Sequence, residues 1–212
     1  MEPFVTLSGI AAPLDQADIN TDMLIPVRFL RKPLSSGYRN YLFFNQRFHA
    51  DGTPNADFIL NREPYSHARI LVTGANFGCG STREGAIYAL LDFGVRATIA
   101  SRYGPFQMLN SFQNGLLPVV LPEETVRRLS AQLHAAPGAE ITIDLPRQTV
   151  TGPDGQTYPF DIEPSRKEQL LSGLDDIGVT SRHAAAIAAF ERDLEAESPW
   201  LSGAALEPLV QK

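Results

Sequence analysis

Apolar positions along the chain follow two periods. Runs of period two, or short continuous runs rich in β-branched residues, predict strands over residues 4–11, 70–72, 95–100 and 116–121. The alternating Ile141, Ile143 and Leu145 predict another. Val150, then Pro153-Asp154-Gly155, then Tyr158 and Phe160 read as a hairpin. Helical spacing appears over residues 87–93 and 106–112, the latter broken by Asn114-Gly115. A clearer helix opens at Pro122-Glu123-Glu124, carries Val126, Leu129 and Leu133 on its inner face, and ends at Pro137-Gly138. Two more are predicted: one from Pro164 to Gly173, and one over 182–197 that should bury Ile187, Phe190 and Leu194.

Residues 29–67 break this rhythm. Turn signals recur at Ser35-Ser36-Gly37 and Asp51-Gly52-Thr53-Pro54-Asn55, interrupted by Tyr41, Phe43 and Phe44. The aromatics predict a folded excursion and not a disordered loop. Arg28, Arg31 and Lys32 cluster at its start, either as a solvated face or as substrate contacts. The next segment, 70–100, reads strand, helix, strand. That is a βαβ unit with a right-handed crossover, whose ligands collect at the carboxyl ends of its strands. The expectation is one α/β domain over residues 1–200, with a tail over 201–212.

Composition narrows the classes. The 212 residues are 43% hydrophobic, enough for a real core. No run nears the roughly 20 apolar residues of a membrane span, and the N-terminus lacks the basic-then-apolar pattern of a signal peptide. The formal charge of −6 argues against nucleic acid, which needs a basic face. The single cysteine, Cys79, forbids an internal disulfide and cannot hold an iron–sulfur cluster, which takes several thiolates. A soluble cytoplasmic protein is expected, with no metal site of its own.

The chemistry concentrates in residues 74–86. An apolar run feeds a bend rich in glycine (Gly74, Gly78, Gly80), which delivers Ser81, Thr82 and Arg83 to the start of the next helix. Ser81 and Glu84 have the spacing of a capping box, so Ser81 is expected to be the N-cap. A helix N-terminus attracts anions, and Arg83 adds a planar fork suited to a carboxylate. A P-loop would need lysine ahead of the Ser/Thr, where Gly80 stands, so that reading fails. A Ser–His hydrolase would need one of His49, His67, His134 or His183 beside the serine, and none sits in a recognisable motif. Ser81 as a general base would need positive charge beyond a helix end, which contributes only about 0.3–2 kcal/mol. Spacing alone leaves Ser81 as a cap or a base. Asp18 and Asp22, in Asp18-Ile-Asn-Thr-Asp22, read as caps of turn N–H groups or, less economically, as metal ligands.

Asn76-Phe-Gly-Cys-Gly-Ser-Thr-Arg-Glu84 resembles the NFGCGSSRE signature of the small subunit of 3-isopropylmalate dehydratase, in the aconitase superfamily. Asp18 to Asp22 with Leu24-Ile25-Pro26, Asn114-Gly-Leu-Leu-Pro118, and Gly173-Leu-Asp-Asp-Ile-Gly178 with residues 183–190 are similar to further motifs of that family, in the same order. The resemblance implies a swivelling β/β/α domain that docks on a large subunit carrying a [4Fe–4S] cluster. It implies isomerisation of 2-isopropylmalate to 3-isopropylmalate by dehydration and rehydration, in leucine biosynthesis. Ser81 would be the base, Arg83 would bind the carboxylate, Thr82 would help to position it, and Arg31 is a further substrate-binding candidate. The excursion over 29–67 would shape the pocket for the substrate's side chain. Three features depart from the family pattern: Gly85 in place of a histidine, Thr82 in place of a serine, and Ser101-Arg-Tyr-Gly104 in place of Pro-Ser-Phe-Ala. They leave open a different alkylmalate, or a binding relative without turnover.

Overall fold

The computed structural model describes residues 1–201, so the expected tail from 202 onward lies outside the described residues. Seven strands form one sheet in the order β4-β3-β2-β1-β5-β6-β7. They are β1 (Thr6–Leu14), β2 (Ile70–Thr73), β3 (Ala97–Ala100), β4 (Leu117–Val120), β5 (Glu140–Asp144), β6 (Thr149–Thr151) and β7 (Thr157–Pro159). β1 joins two different half-sheets. Thr6 to Ile10 pair antiparallel with β5, while Ala11 to Leu14 pair parallel with β2. β2, β3 and β4 continue in parallel, and β5, β6 and β7 form the antiparallel meander expected of the hairpin region.

The helices are α1 (Thr21–Leu24), α2 (Phe44–Arg47), α3 (Gly85–Phe93), α4 (Pro105–Asn114), α5 (Glu123–Ala135), α6 (Pro164–Ser172), α7 (Asp176–Ser181) and α8 (Ala184–Glu197). The β2-α3-β3 unit stands as the sequence predicts, and the mixed α/β class holds. β2 is buried along its whole length, as a parallel strand covered on both faces should be. Leu71 packs with Ala86, Ile87, Leu90 and the excursion residues Leu42, Phe43 and Leu60. Ile70 and Val72 point to the other face, with Val126, Leu129 and Leu133 of α5. Each fully buried side chain of that size stabilises the fold by about 1.5–3 kcal/mol. This double cover leaves the carboxyl ends of the strands as the place where loops can gather.

The described chain falls into two compact units, Met1–Gly173 and a second starting at Leu174. In the second unit, α8 forms where helical periodicity places it. Its stripe is not buried, however: Phe190 is 66% exposed, and Ile187 and Leu194 are exposed as well. The periodicity shows which residues share a face, and only packing shows whether anything covers that face.

Candidate active site

The 74–84 bend is held from two sides by segments distant in sequence. On one side stands the 18–22 loop. Asp18 N–H donates to Ala75 O at 2.9 Å, Gly78 N–H to Ile19 O at 2.7 Å, and Thr21 N–H to Cys79 O at 3.0 Å. Asn76, at a φ of 61°, is held there by its Nδ2 donating to Asp18 Oδ1 at 2.7 Å. On the other side stand residues 102–104. Phe77 N–H donates to Arg102 O at 3.1 Å, and Gly104 N–H donates to Phe77 O at 2.9 Å. Tyr103 lies edge-on to Phe77, and its buried hydroxyl bonds Thr98 Oγ1 and Val119 O. Burial pushes the Tyr103 phenol well above its usual range, so it remains a neutral anchor.

This clamping needs glycine at two points. A Cβ on Gly78, whose φ is 69°, would lie 2.2 Å from Gln107 Cγ, and one on Gly104 would lie 2.4 Å from Gly78 O. The Ser101-Gly104 segment, a departure from the family pattern, therefore backs the bend directly.

The expected capping box does not form. α3 begins at Gly85 with Glu84 at the N-cap position, and no side chain caps it. Glu84 instead accepts Asn114 Nδ2 at 2.9 Å and the hydroxyl of Tyr88. Ser81 lies four residues ahead of the helix, on the exposed surface. Its N–H donates to Thr21 Oγ1 at 3.2 Å, and within the described residues its hydroxyl has no protein partner. The cap reading of Ser81 is thereby overturned. Thr82 is also exposed, its carbonyl accepting Asn110 Nδ2 at 3.2 Å. Arg83 donates from Nη1 to Asp22 Oδ1 in an ion pair.

The aspartates of the 18–22 loop are not caps of its turn either. Asn20 caps α1, accepting Met23 N–H at 2.9 Å, while Asp18 and Asp22 reach across to the bend. Thr21 and Asp22 thus join the site by contact alone. Their only sequence signal was membership of a short polar motif beside the strand.

Arg31 is exposed and, within the described residues, has no hydrogen-bond or ion-pair partner. Its neighbour Leu30 lies beside Gly85, so the start of the excursion reaches the first turn of α3. Arg28 donates to Asn45 Oδ1 at 2.7 Å and covers the rings of Phe29 and Phe44, a packing role. No histidine within the described residues is bonded to Ser81: His134 pairs with Asp15, and His67 with Glu63. A cavity of about 520 Å³, lined by Asp15, Gly74, Ser101, Arg127 and His134 among others, contains neither Ser81 nor Arg83. Ser81 and Thr82 are exposed and Arg83 beside them is partly covered, so the triplet lies on an open surface. It can present a hydroxyl and a guanidinium side by side, and it does not enclose a substrate.

Residues 1–124 match the aconitase C-terminal domain, 127–164 match LeuD_N, and 176–204 match the C-terminal domain of the 3-isopropylmalate dehydratase small subunit. The 3-isopropylmalate dehydratase small subunits of Paramagnetospirillum magneticum and Xanthobacter autotrophicus are each 47% identical over 201 residues, which is 95% of this chain and 100% of theirs. The chain belongs to the 3-isopropylmalate dehydratase small subunit family. The crystal structure of a 3-isopropylmalate dehydratase from Methanocaldococcus jannaschii has the same fold, with a TM-score of 0.62 at 20% identity over 87% of this chain and 98% of that one. The third matched segment, 176–204, corresponds to the second compact unit, so the family's own division falls close to the structural one.

Among the described residues no three histidine, cysteine, aspartate or glutamate side chains come together as a metal site. Cys79, the one thiol, is half-buried in the bend. A single thiolate does not fit the donor set of an iron–sulfur cluster. No helix among the described residues is long and apolar enough to cross a membrane.

Proposed function

We propose that this chain is the small subunit of a two-subunit cytoplasmic hydro-lyase that isomerises 2-isopropylmalate to 3-isopropylmalate by dehydration and rehydration, in leucine biosynthesis. The observation that carries the reading is the clamped bend, which holds the exposed Ser81 close to the partly covered Arg83, with the serine hydroxyl free of protein partners among the described residues. A base that must reach a carbon-bound proton needs that freedom.

In this reading Arg83 pairs with the carboxylate next to the reacting carbon, a planar fork meeting a planar anion. Ser81 removes the proton from that carbon, and Thr82 helps to position the carboxylate. On rehydration the same serine delivers a proton to the carbon that lost the hydroxyl, and the hydroxyl adds at the carbon that lost the proton, so the two exchange places. The excursion supplies the wall for the alkyl group, and Arg31, exposed beside Leu30, is the further candidate for a substrate contact.

The thiolates for a [4Fe–4S] cluster belong to the large subunit, because this chain has one cysteine. When bound there, the cluster supplies a Lewis acid with an open position for the departing hydroxyl, and the positive charge that a serine base requires. Neither subunit is expected to turn over alone. A homologous reaction on a different alkylmalate uses the same two residues, and Gly85 is the feature that favours it.

The test is reconstitution. The purified chain is mixed anaerobically with its cluster-bearing large subunit, and formation of the alkene intermediate is followed by absorbance with a panel of alkylmalates. Turnover of 2-isopropylmalate by the mixture alone supports the proposal. Turnover only of another member moves the substrate. A complex that forms and turns over none of them makes the chain a binding relative.

A further inference from the structure

Gly85 is the first residue of α3, two positions after Arg83. A Cβ built there would lie 3.1 Å from Leu30 Cδ2, 3.5 Å from Tyr38 Cε1 and 3.8 Å from Ile25 Cδ1. The space that a side chain would need is thus taken by the excursion, with Leu30 in closest contact.

The same stretch of the excursion is pinned at its far end. Tyr38 is buried, its hydroxyl donates to Lys32 O at 2.9 Å, and its ring stands edge-on to Tyr88 of α3 at 6.0 Å. Phe29 stacks on Tyr41 at 4.3 Å. Next to these anchors the chain displays two apolar side chains to solvent, Val27 just before Phe29 at 58% and Leu34 between Phe29 and Tyr38 at 62% exposure. Exposed apolar groups of this size, on a short loop seated against the first turn of α3, suit contact with an alkyl group. The seat of that loop on α3 is Leu30 against Gly85.

We infer that Gly85 is a specificity-determining position: its missing side chain lets Leu30 rest on the first turn of α3, and this contact sets how far the 27–34 loop stands from Ser81 and Arg83. The inference rests on the alkylmalate reading above. Ser81 and Arg83 act on the part of the substrate common to all alkylmalates. The loop meets the part that differs. A methyl group at residue 85 would come closer to Leu30 than nearly all real side-chain contacts, so Leu30 shifts by a few tenths of an ångström and moves the loop without touching the reacting groups. One methylene more or less in an apolar pocket already changes selectivity by about 10- to 200-fold, so a small shift of the wall is measurable.

The experiment uses the reconstituted two-subunit enzyme with wild type, Gly85→Ala, Leu30→Ala and the double variant. It measures kcat/KM for 2-isopropylmalate and for 2-methylmalate, together with amide hydrogen exchange over residues 27–38 of the small subunit alone. Gly85→Ala is expected to change the ratio of the two kcat/KM values by threefold or more and to speed exchange in the loop. Leu30→Ala added to it should bring the ratio back toward that of Leu30→Ala by itself, since the crowded pair is then gone. A ratio changed by less than threefold, equal losses on both substrates, or unchanged loop exchange overturns the inference. If wild type turns over neither substrate, the reaction proposed above fails and this inference falls with it; wild-type turnover with an unmoved ratio fails this inference alone.

Discussion

Arg83 donates from Nη1 to the carboxylate of Asp22, across 61 residues of sequence. The guanidinium is mostly covered and the carboxylate more than half exposed, so the arginine is the fixed partner and the aspartate faces solvent. The pair ties the 18–22 loop to the bend at the residue proposed to hold the substrate's carboxylate, and leaves the rest of the fork without a protein partner among the described residues. Removing the negative charge should free the guanidinium to wander. Asp22→Asn is expected to raise KM about threefold to tenfold in the reconstituted enzyme, in line with the ~1 kcal/mol an exposed pair contributes. A fall in KM would show that Asp22 competes with substrate instead of orienting its receptor.

Ser81 is exposed, and among the described residues its hydroxyl makes no bond that holds the fold. Ser81→Ala should therefore leave stability and assembly with the large subunit unchanged while lowering kcat by about 10²- to 10⁴-fold, the range of a positioned base. Assembly is followed by size-exclusion chromatography and turnover by alkene absorbance. Retained turnover removes Ser81 from the mechanism.

The bend depends on the absence of a side chain at residue 78. Gly78→Ala combines a left-handed φ with a Cβ driven into Gln107, whose side chain is 2% exposed and has little room to yield. A cost of about 2–4 kcal/mol follows from backbone strain plus overpacking, read as a lower urea midpoint at unchanged slope. Gly155, also at positive φ but with open space around it, is the control: alanine there pays the strain alone.

Tyr88 is pushed up to about 12, first by burial and then by its hydrogen bond to Glu84. The folded protein thus holds this phenolic proton more tightly than the unfolded chain, whose tyrosines titrate near pH 10. Its contribution to stability is complete below about pH 10 and is lost as the pH rises toward 12. Urea unfolding across that window should show stability falling with pH, and Tyr88→Phe should reduce the slope. An identical slope in the variant would place the alkaline loss on Tyr65 and Tyr103, both also raised by burial.

Much of this protein is legible before any coordinates. The β2-α3-β3 unit, the inner face of α5 with Val126, Leu129 and Leu133, and the β6–β7 hairpin all follow from spacing within a few residues, because strand and helix periods are local properties of the backbone. The triplet Ser81, Thr82 and Arg83 and the glycines that deliver it were also visible, since that chemistry is written in consecutive residues. What spacing misjudged were the partners. It made Ser81 a helix cap, whereas the helix starts at Gly85 and Glu84 turns to Asn114 and Tyr88. It made Asp18 and Asp22 local caps, whereas Asn20 takes that task and both carboxylates cross to the bend. It buried the stripe of α8, which is exposed. In each case a local contact of another kind was expected, and a different partner (some 60 residues away for the two aspartates), or no group at all, took its place. Chain entropy allows such choices only once the sheet has brought β1 and β2 side by side. The sequence by itself determined the elements and the candidate residues of the bend; the tertiary structure decided which of them face one another, and that Leu30 takes the space beside residue 85.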